Sequence, residues 1–133
     1  MLARMSTHSP EGMSRKEKPV TCPFCDQRVA KPRPLGAKGS RDETSGGHCA
    51  CGALYIADVT GKLGGQALMD GLTILCDGDV DAALGLSAGT DYEMVKLGYR
   101  PRTHSVERHM PRGGAFGRPK LWFFRRLPPP ASA

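Results

Sequence analysis

The sequence predicts an α+β fold, a small β-sheet with a short helical cap and a C-terminal aromatic strand, and three observations carry that expectation. Four of the five cysteines fall in two tight pairs, Cys22/Cys25 and Cys49/Cys51, separated by 23 residues and flanked by β-forming residues. Residues 66–97 then repeat apolar side chains at helical spacing between capping signals. Near the end, Lys120-Leu121-Trp122-Phe123-Phe124-Arg125 sets three of the chain's eight aromatic residues side by side, a run that needs burial on at least one face.

Taken in order, residues 1–18 are rich in Ser, Pro, Lys and Arg without a hydrophobic period, so they read as a disordered basic leader, with Met5 and Met13 as alternative starts. Residues 19–58 hold the sheet. Val20-Thr21 is expected to enter the first cysteine pair as a strand, and Arg28-Val29-Ala30-Lys31 to leave it as another. From Pro32 to Gly47 the composition is Pro, Gly, Ser and charged residues, the mark of a mobile tip. Ala53 to Ala57 is β-rich and forms the return strand.

Two short-spaced thiol pairs far apart in sequence suit one tetrahedral ion, because each pair chelates from its own turn while the loop between them folds back. Thiolates are soft ligands and select zinc first, iron second. The second pair reads in two ways. Cys49-x-Cys51 gives four cysteine ligands, whereas His48-x-x-Cys51 gives three cysteines and a histidine and leaves Cys49 over. A fully thiolate shell is a standard closed structural site. Gly52, immediately after Cys51, suits a knuckle in which the backbone turns sharply and its amides approach the sulfur.

With Cys22, Cys25, Cys49 and Cys51 at the ligand positions, residues 20–58 resemble the zinc-ribbon proteins. The resemblance implies a small zinc-ribbon β-sheet with a structural Zn2+ and says little about role, since ribbons serve many functions. The chain departs from the pattern in its Cys-x-Cys second pair and in Asp26, which stands where a glycine would follow Cys25. Thr21-Cys22-Pro23-Phe24-Cys25 also resembles a glutaredoxin active site, which implies a helix starting at Cys22 to lower its pKa. Pro32 and Pro34 would stop that helix after about two turns, and the downstream pair would go unexplained.

Residues 59–98 form the helical cap. Gly61-Lys62 is not a phosphate-binding loop, because Ile56 stands where glycine is required and Leu63 where Ser or Thr is required. The first helix, Gln66 to Cys76, places Leu68, Leu72, Leu75 and Cys76 on one face, with Cys76 a small buried hydrophobe. Asp77, Asp79 and Asp81 have the spacing of a calcium loop, but Ala82 and Ala88 occupy its glycine and glutamate positions. They read instead as turn and N-cap of a second helix, Val80 to Leu86. A third helix starts at the capping box Thr90–Glu93, carries Met94, Val95 and Leu97, and stops at Gly98 ahead of Pro101. Residues 99–127 are a basic loop and the C-terminal strand, with Leu121 and Phe123 on one face and Trp122 and Phe124 on the other. Residues 128–133 are a stiff Pro-rich tail.

Composition bounds the function. At 39% apolar residues, with 17 glycines and 11 prolines in 133 residues, the core is modest. A structural ion, at about 10 kcal/mol of apparent binding free energy, would then weigh heavily in stability. There is no apolar run of signal-peptide type, none long enough to span a bilayer, and the cysteines fall in ligand pairs. These features predict a cytoplasmic protein with no membrane partner.

The net charge of +6 is uneven. Residues 1–41 carry nine Lys and Arg against three acids, residues 58–93 one lysine against seven acids, and residues 100–126 eight Lys and Arg against Glu107 alone. Basic ends attract polyanions, or dock on the acidic middle of the same chain. Lys31, Arg33, Lys38 and Arg41 make a basic finger. Arg100, Arg102, Arg108, Arg112 and Arg118 make a glycine-arginine tail suited to phosphates, with Tyr99 and Phe116 placed to stack on bases.

The sequence thus points first to a non-enzymatic, zinc-stabilised binding module contacting nucleic acid or a ribonucleoprotein. The second reading is an adaptor or accessory subunit that binds another protein through the cap or the aromatic strand; the third is a thiol–disulfide oxidoreductase. No nucleophile–base–orienter set assembles, and Tyr99, Arg102 and His104 form the only polar cluster worth testing as a catalytic site. Nothing in the residues fixes the oligomeric state.

Overall fold

The hydrophobic run from Leu121 to Phe124 lies at the centre of the molecule. The computed structural model describes residues 17–36, 44–107 and 118–128. They form one antiparallel sheet: β1 Glu17–Pro19, β2 Arg33–Pro34, β3 Ser45–His48, β4 Leu54–Asp58, β5 Tyr92–Arg100, β6 Ser105–Glu107 and β7 Lys120–Arg126. The spatial order is β1-β6-β5-β7-β4-β3-β2. Two helices, α1 Gly64–Leu75 and α2 Val80–Leu84, lie between β4 and β5 in sequence.

β4 and β7 pair in register from Leu54 opposite Phe124 to Asp58 opposite Lys120. Every residue of β4 is buried, as is β7 from Lys120 to Phe124. A strand in such a position is covered on both faces, which explains why β4 reads as a continuous apolar run rather than an alternation. Tyr55, Ala57, Leu121 and Phe123 pack on one side with Cys22, Val29 and Cys49. Leu54, Ile56, Trp122 and Phe124 pack on the other with Ala67, Leu72, Ile74 and Ala83 of the helices. The sheet is therefore a middle layer between the cysteine turns and the helices. The expected division of β7 into a Leu121/Phe123 face and a Trp122/Phe124 face holds.

The helical layer is seated closely. A Cβ built on Gly71 would lie 2.4 Å from the Phe124 ring, so only a glycine lets α1 approach β7 at this point. No side chain caps α1 at Leu63. The work is done upstream by the buried Asp58 carboxylate, which accepts from the Gly61 N–H at 2.8 Å and the Leu63 N–H at 3.1 Å. The second helix begins as expected, with the Asp79 side chain accepting from Ala82 N at 3.0 Å.

The third expected helix is a strand. Tyr92–Arg100 pairs with β7 from Tyr92 opposite Arg126 to Gly98 opposite Lys120, then with β6 at Tyr99 and Arg100. Two physical reasons decide it. Glu93 does not reach back to cap a helix; Arg125 Nε and Nη2 meet its Oε1 at 2.6 and 2.5 Å from the facing position on β7. And the apolar residues serve both faces, Tyr92 and Met94 toward the helices, Leu97 and Tyr99 toward the cysteine turns. Asp91 makes the preceding turn, accepting from Ser87 N–H at 2.8 Å.

Smaller corrections concern the edges. Glu17 and Lys18, assigned to the leader, pair with Glu107 and Val106 as β1; residues 1–16 lie outside the described residues. The expected strands around the first cysteine pair shrink to one bridge, Thr21 opposite Arg28. Both outer strands are short and contain a proline, Pro19 and Pro34, which leaves little edge for another chain to extend. Among the described residues, no helix is long and apolar enough to cross a membrane.

Candidate metal centre

Each cysteine pair sits on a tight turn fixed by its own backbone. In the first, Cys22 N–H donates to Gln27 O and Asp26 N–H to Cys22 O, both at 2.8 Å. The Phe24 amide points at Cys22 Sγ from 3.4 Å. Asp26 closes this turn at φ 66°, the left-handed region where glycine is usual and Asp is tolerated. In the second, Cys49 N–H donates to Ala53 O at 2.8 Å, Gly52 N–H to Cys49 O at 2.9 Å, and Gly52 closes at φ 98°. The missing glycine after Cys25 is thus a substitution within the same turn geometry.

The two turns meet. The sulfurs of Cys22, Cys25, Cys49 and Cys51 all lie within 4.8 Å of one another. Cys22 Sγ stands 3.7 Å from Cys51 Sγ, and Cys25 Sγ 3.4 Å from Cys49 Sγ. A tetrahedral ion with metal–sulfur bonds of about 2.3 Å needs sulfurs roughly 3.8 Å apart, so the donor set fits zinc. Cys49 is buried and contributes the fourth sulfur, while His48 is exposed on β3 and outside the cluster. Burial pushes the Cys22 thiol well above its ordinary pKa, whereas the Ala53 backbone N–H lowers that of the exposed Cys51. A buried sulfur of that kind is held as thiolate by a cation. No helix starts at Cys22, since residues 23–25 form a turn, so the feature that would activate a glutaredoxin-type thiol is missing here.

Two tyrosines hold the segment that leaves the first turn. Tyr55 crosses above Gly47, its register partner, and its hydroxyl donates to Ala30 O at 2.7 Å. A Cβ on Gly47 would come within 2.5 Å of that hydroxyl. Tyr99 Oη lies 2.8 Å from His104 Nδ1, and His104 Nε2 lies 2.8 Å from Val29 O. A carbonyl only accepts, so the His104 proton sits on Nε2 and Tyr99 donates to Nδ1. Burial pushes Tyr99 up to about 12, which keeps its donor proton in place. The Tyr99/Arg102/His104 cluster is therefore a Tyr99–His104 clamp on the metal turn, with Arg102 exposed beside it. Sequence reasoning missed the Tyr55 clamp; its signal was a tyrosine opposite Gly46-Gly47 in an expected hairpin.

A second contact missed from sequence is Arg125, whose guanidinium lies 4.7 Å from the Phe24 ring centre and links the turn to β7. Of the expected basic contacts, Arg100 is engaged by Glu17 at 2.5 Å and Glu107 at 3.7 Å. Lys31, Arg33, Arg102 and Arg118 are exposed and make no ion pair among the described residues. Lys38, Arg41, Arg108 and Arg112 lie outside the described residues. Comparison with protein-family models, curated proteins and solved structures found no match for the chain.

Proposed function

We propose that the chain is a zinc-stabilised binding module with no chemistry of its own, which contacts nucleic acid or a ribonucleoprotein through its basic segments. The observation that carries this reading is the convergence of four sulfurs from two turns far apart in sequence. Cys22, Cys25, Cys49 and Cys51 would hold the ion. Bound there, zinc supplies a crosslink and no open coordination position, as in closed structural sites. The protein's own residues do the rest: Tyr55 and Tyr99–His104 fix the segment before Lys31, and Arg125 fixes Phe24. Cations are thereby presented on a body already ordered before binding, which lowers the ordering cost of association. The basic ends of the chain and the unpaired Lys31, Arg33, Arg102 and Arg118 support a polyanionic partner.

Native mass spectrometry of protein expressed without an affinity-tag metal should find one zinc per chain and no iron. Cys51→Ser should lose the metal and the fold together, whereas Cys76→Ser, at the end of α1, should keep both. Affinity for RNA or DNA should fall steeply with salt. A metal-free protein that stays folded in strong chelator overturns the reading.

A protein-binding role has one specific observation in its favour. Val80 and Leu84, one turn apart on α2, are 50% and 67% exposed within the acid-rich segment. A partner captured through that pair would survive nuclease treatment and moderate salt.

A further inference from the structure

Two neighbouring hollows open beside the Tyr99 clamp. The first, about 440 Å³, has Pro32, Ala57, Val59, Leu63 and Pro101 among its walls, with Lys31 lining it as well. Its volume lies in the range of small-molecule sites, and its mostly apolar wall with a few polar groups is the usual composition of one. Val59 is 54% exposed there, one of the few large apolar side chains left uncovered among the described residues. The second hollow, about 360 Å³, shares Tyr99 and Pro101 with the first and adds Arg100, Arg102 and Arg118.

The charge is lopsided. The two hollows together are lined by Lys31, Arg100, Arg102 and Arg118 against the single carboxylate of Glu107, which already lies near Arg100. By sequence, the ten residues between Glu107 and Arg118 add Arg108 and Arg112 to the same connection. An apolar slot adjoined by unpaired cations fits a ligand with a flat, poorly hydrated ring and phosphate attached to it. A fatty acid would offer one anionic group at one end. A nucleotide within a strand offers a phosphate on each side of its ring, matching Lys31 in one hollow and the arginines in the next.

We propose that this double hollow is a nucleotide-binding groove, with the base against Pro32, Val59 and Pro101 and phosphate at Arg102 and Arg118. The inference rests on the nucleic-acid reading above and names its site. Ring stacking tolerates different bases, so single-stranded nucleic acid and free nucleotides share the same chemistry here.

The test uses the full-length, zinc-loaded chain, with zinc stoichiometry measured on every sample. Titrations with adenosine monophosphate and with a short fluorescein-labelled oligoadenylate separate the two sources. Val59→Asn should weaken binding about ten-fold, the scale of one lost base contact. The Arg102→Ala, Arg118→Ala double variant should lower the slope of log affinity against log salt by about 1.4, at about 0.7 per phosphate on a single strand. Arg126→Ala, which removes a charge lining neither hollow, should change affinity less than two-fold.

Binding of the mononucleotide assigns the groove to free nucleotides, and binding of the oligonucleotide alone assigns it to a strand; both support the site. Equal losses in the Arg126 and Arg102/Arg118 variants overturn it, as does binding of oleate but of no nucleotide. Loss of nucleotide binding with one zinc bound would sink the groove alone, whereas absence of zinc from a folded chain would sink the module reading itself.

Discussion

Asp26 and Gly52 occupy equivalent places in the two cysteine turns, at φ 66° and 98°, yet only one of them is a glycine. The left-handed conformation costs an L-residue about 1–2 kcal/mol, less for Asp, whose side chain bonds locally. Gly52→Ala should therefore destabilise by about 1–2 kcal/mol through backbone strain alone, because the added Cβ meets nothing within 4 Å. Asp26→Gly should be neutral or stabilise by up to about 1 kcal/mol. Denaturant midpoints of the zinc-loaded proteins would measure both. Tyr99 makes a pH prediction at the same scale. Its phenol is charged only when deprotonated, and burial holds the folded value near 12, above the ordinary value of about 10. The folded state then binds more protons than the unfolded state between those limits, so stability falls as pH rises from about 10 to 12. Tyr99→Phe should lose the His104 bond, about 1 kcal/mol, and show a shallower fall between pH 9 and 11 in denaturant titrations. An unchanged slope would count against the buried, protonated Tyr99.

At the scale of elements, legibility depended on whether the deciding contact was local. The α2 cap at Asp79 and the alternation of β7 follow from neighbouring residues, and both were readable. β5 was not, because Glu93 three residues after Thr90 carries a local helix signal that its partner Arg125, 32 residues later, overrides. Both members of that ion pair are more than 40% exposed, so the pair itself contributes little stability. What selects the strand is the row of pairings with β7 and the two buried faces it completes. The fit of α1 on β7 was equally unreadable, since a helical glycine ordinarily reads as a weakness. Gly71→Ala should gain helix propensity and yet destabilise by about 1–3 kcal/mol, because the methyl group would enter the Phe124 ring. A rise in thermal midpoint for this variant would show that α1 is not seated on β7 as described.

At the scale of the molecule, the cysteine spacing made the metal cluster legible, because chelation from two turns is written in short intervals. The order of the strands was not, since β7 enters last in sequence and lies between β5 and β4, joining segments that no local pattern connects. That order has a thermodynamic consequence. The sheet's two faces are covered by different agents: helices on the Trp122/Phe124 side, and turns fixed by the sulfur cluster on the Leu121/Phe123 side. Removing zinc takes away the crosslink of one layer only, while Ala67, Leu72 and Ile74 still cover the other. Structural zinc contributes on the order of 10 kcal/mol, more than the whole stability of many domains, so the chelated chain should unfold or retain only its helical half. Hydrogen exchange after addition of a strong chelator would discriminate. Amides of residues 20–29 and 49–53 should lose protection first, with β4, β7 and α1 following more slowly. Uniform, simultaneous loss would mean that the two layers form one cooperative unit, and unchanged protection around Cys22 and Cys51 would mean that the sulfurs hold no ion.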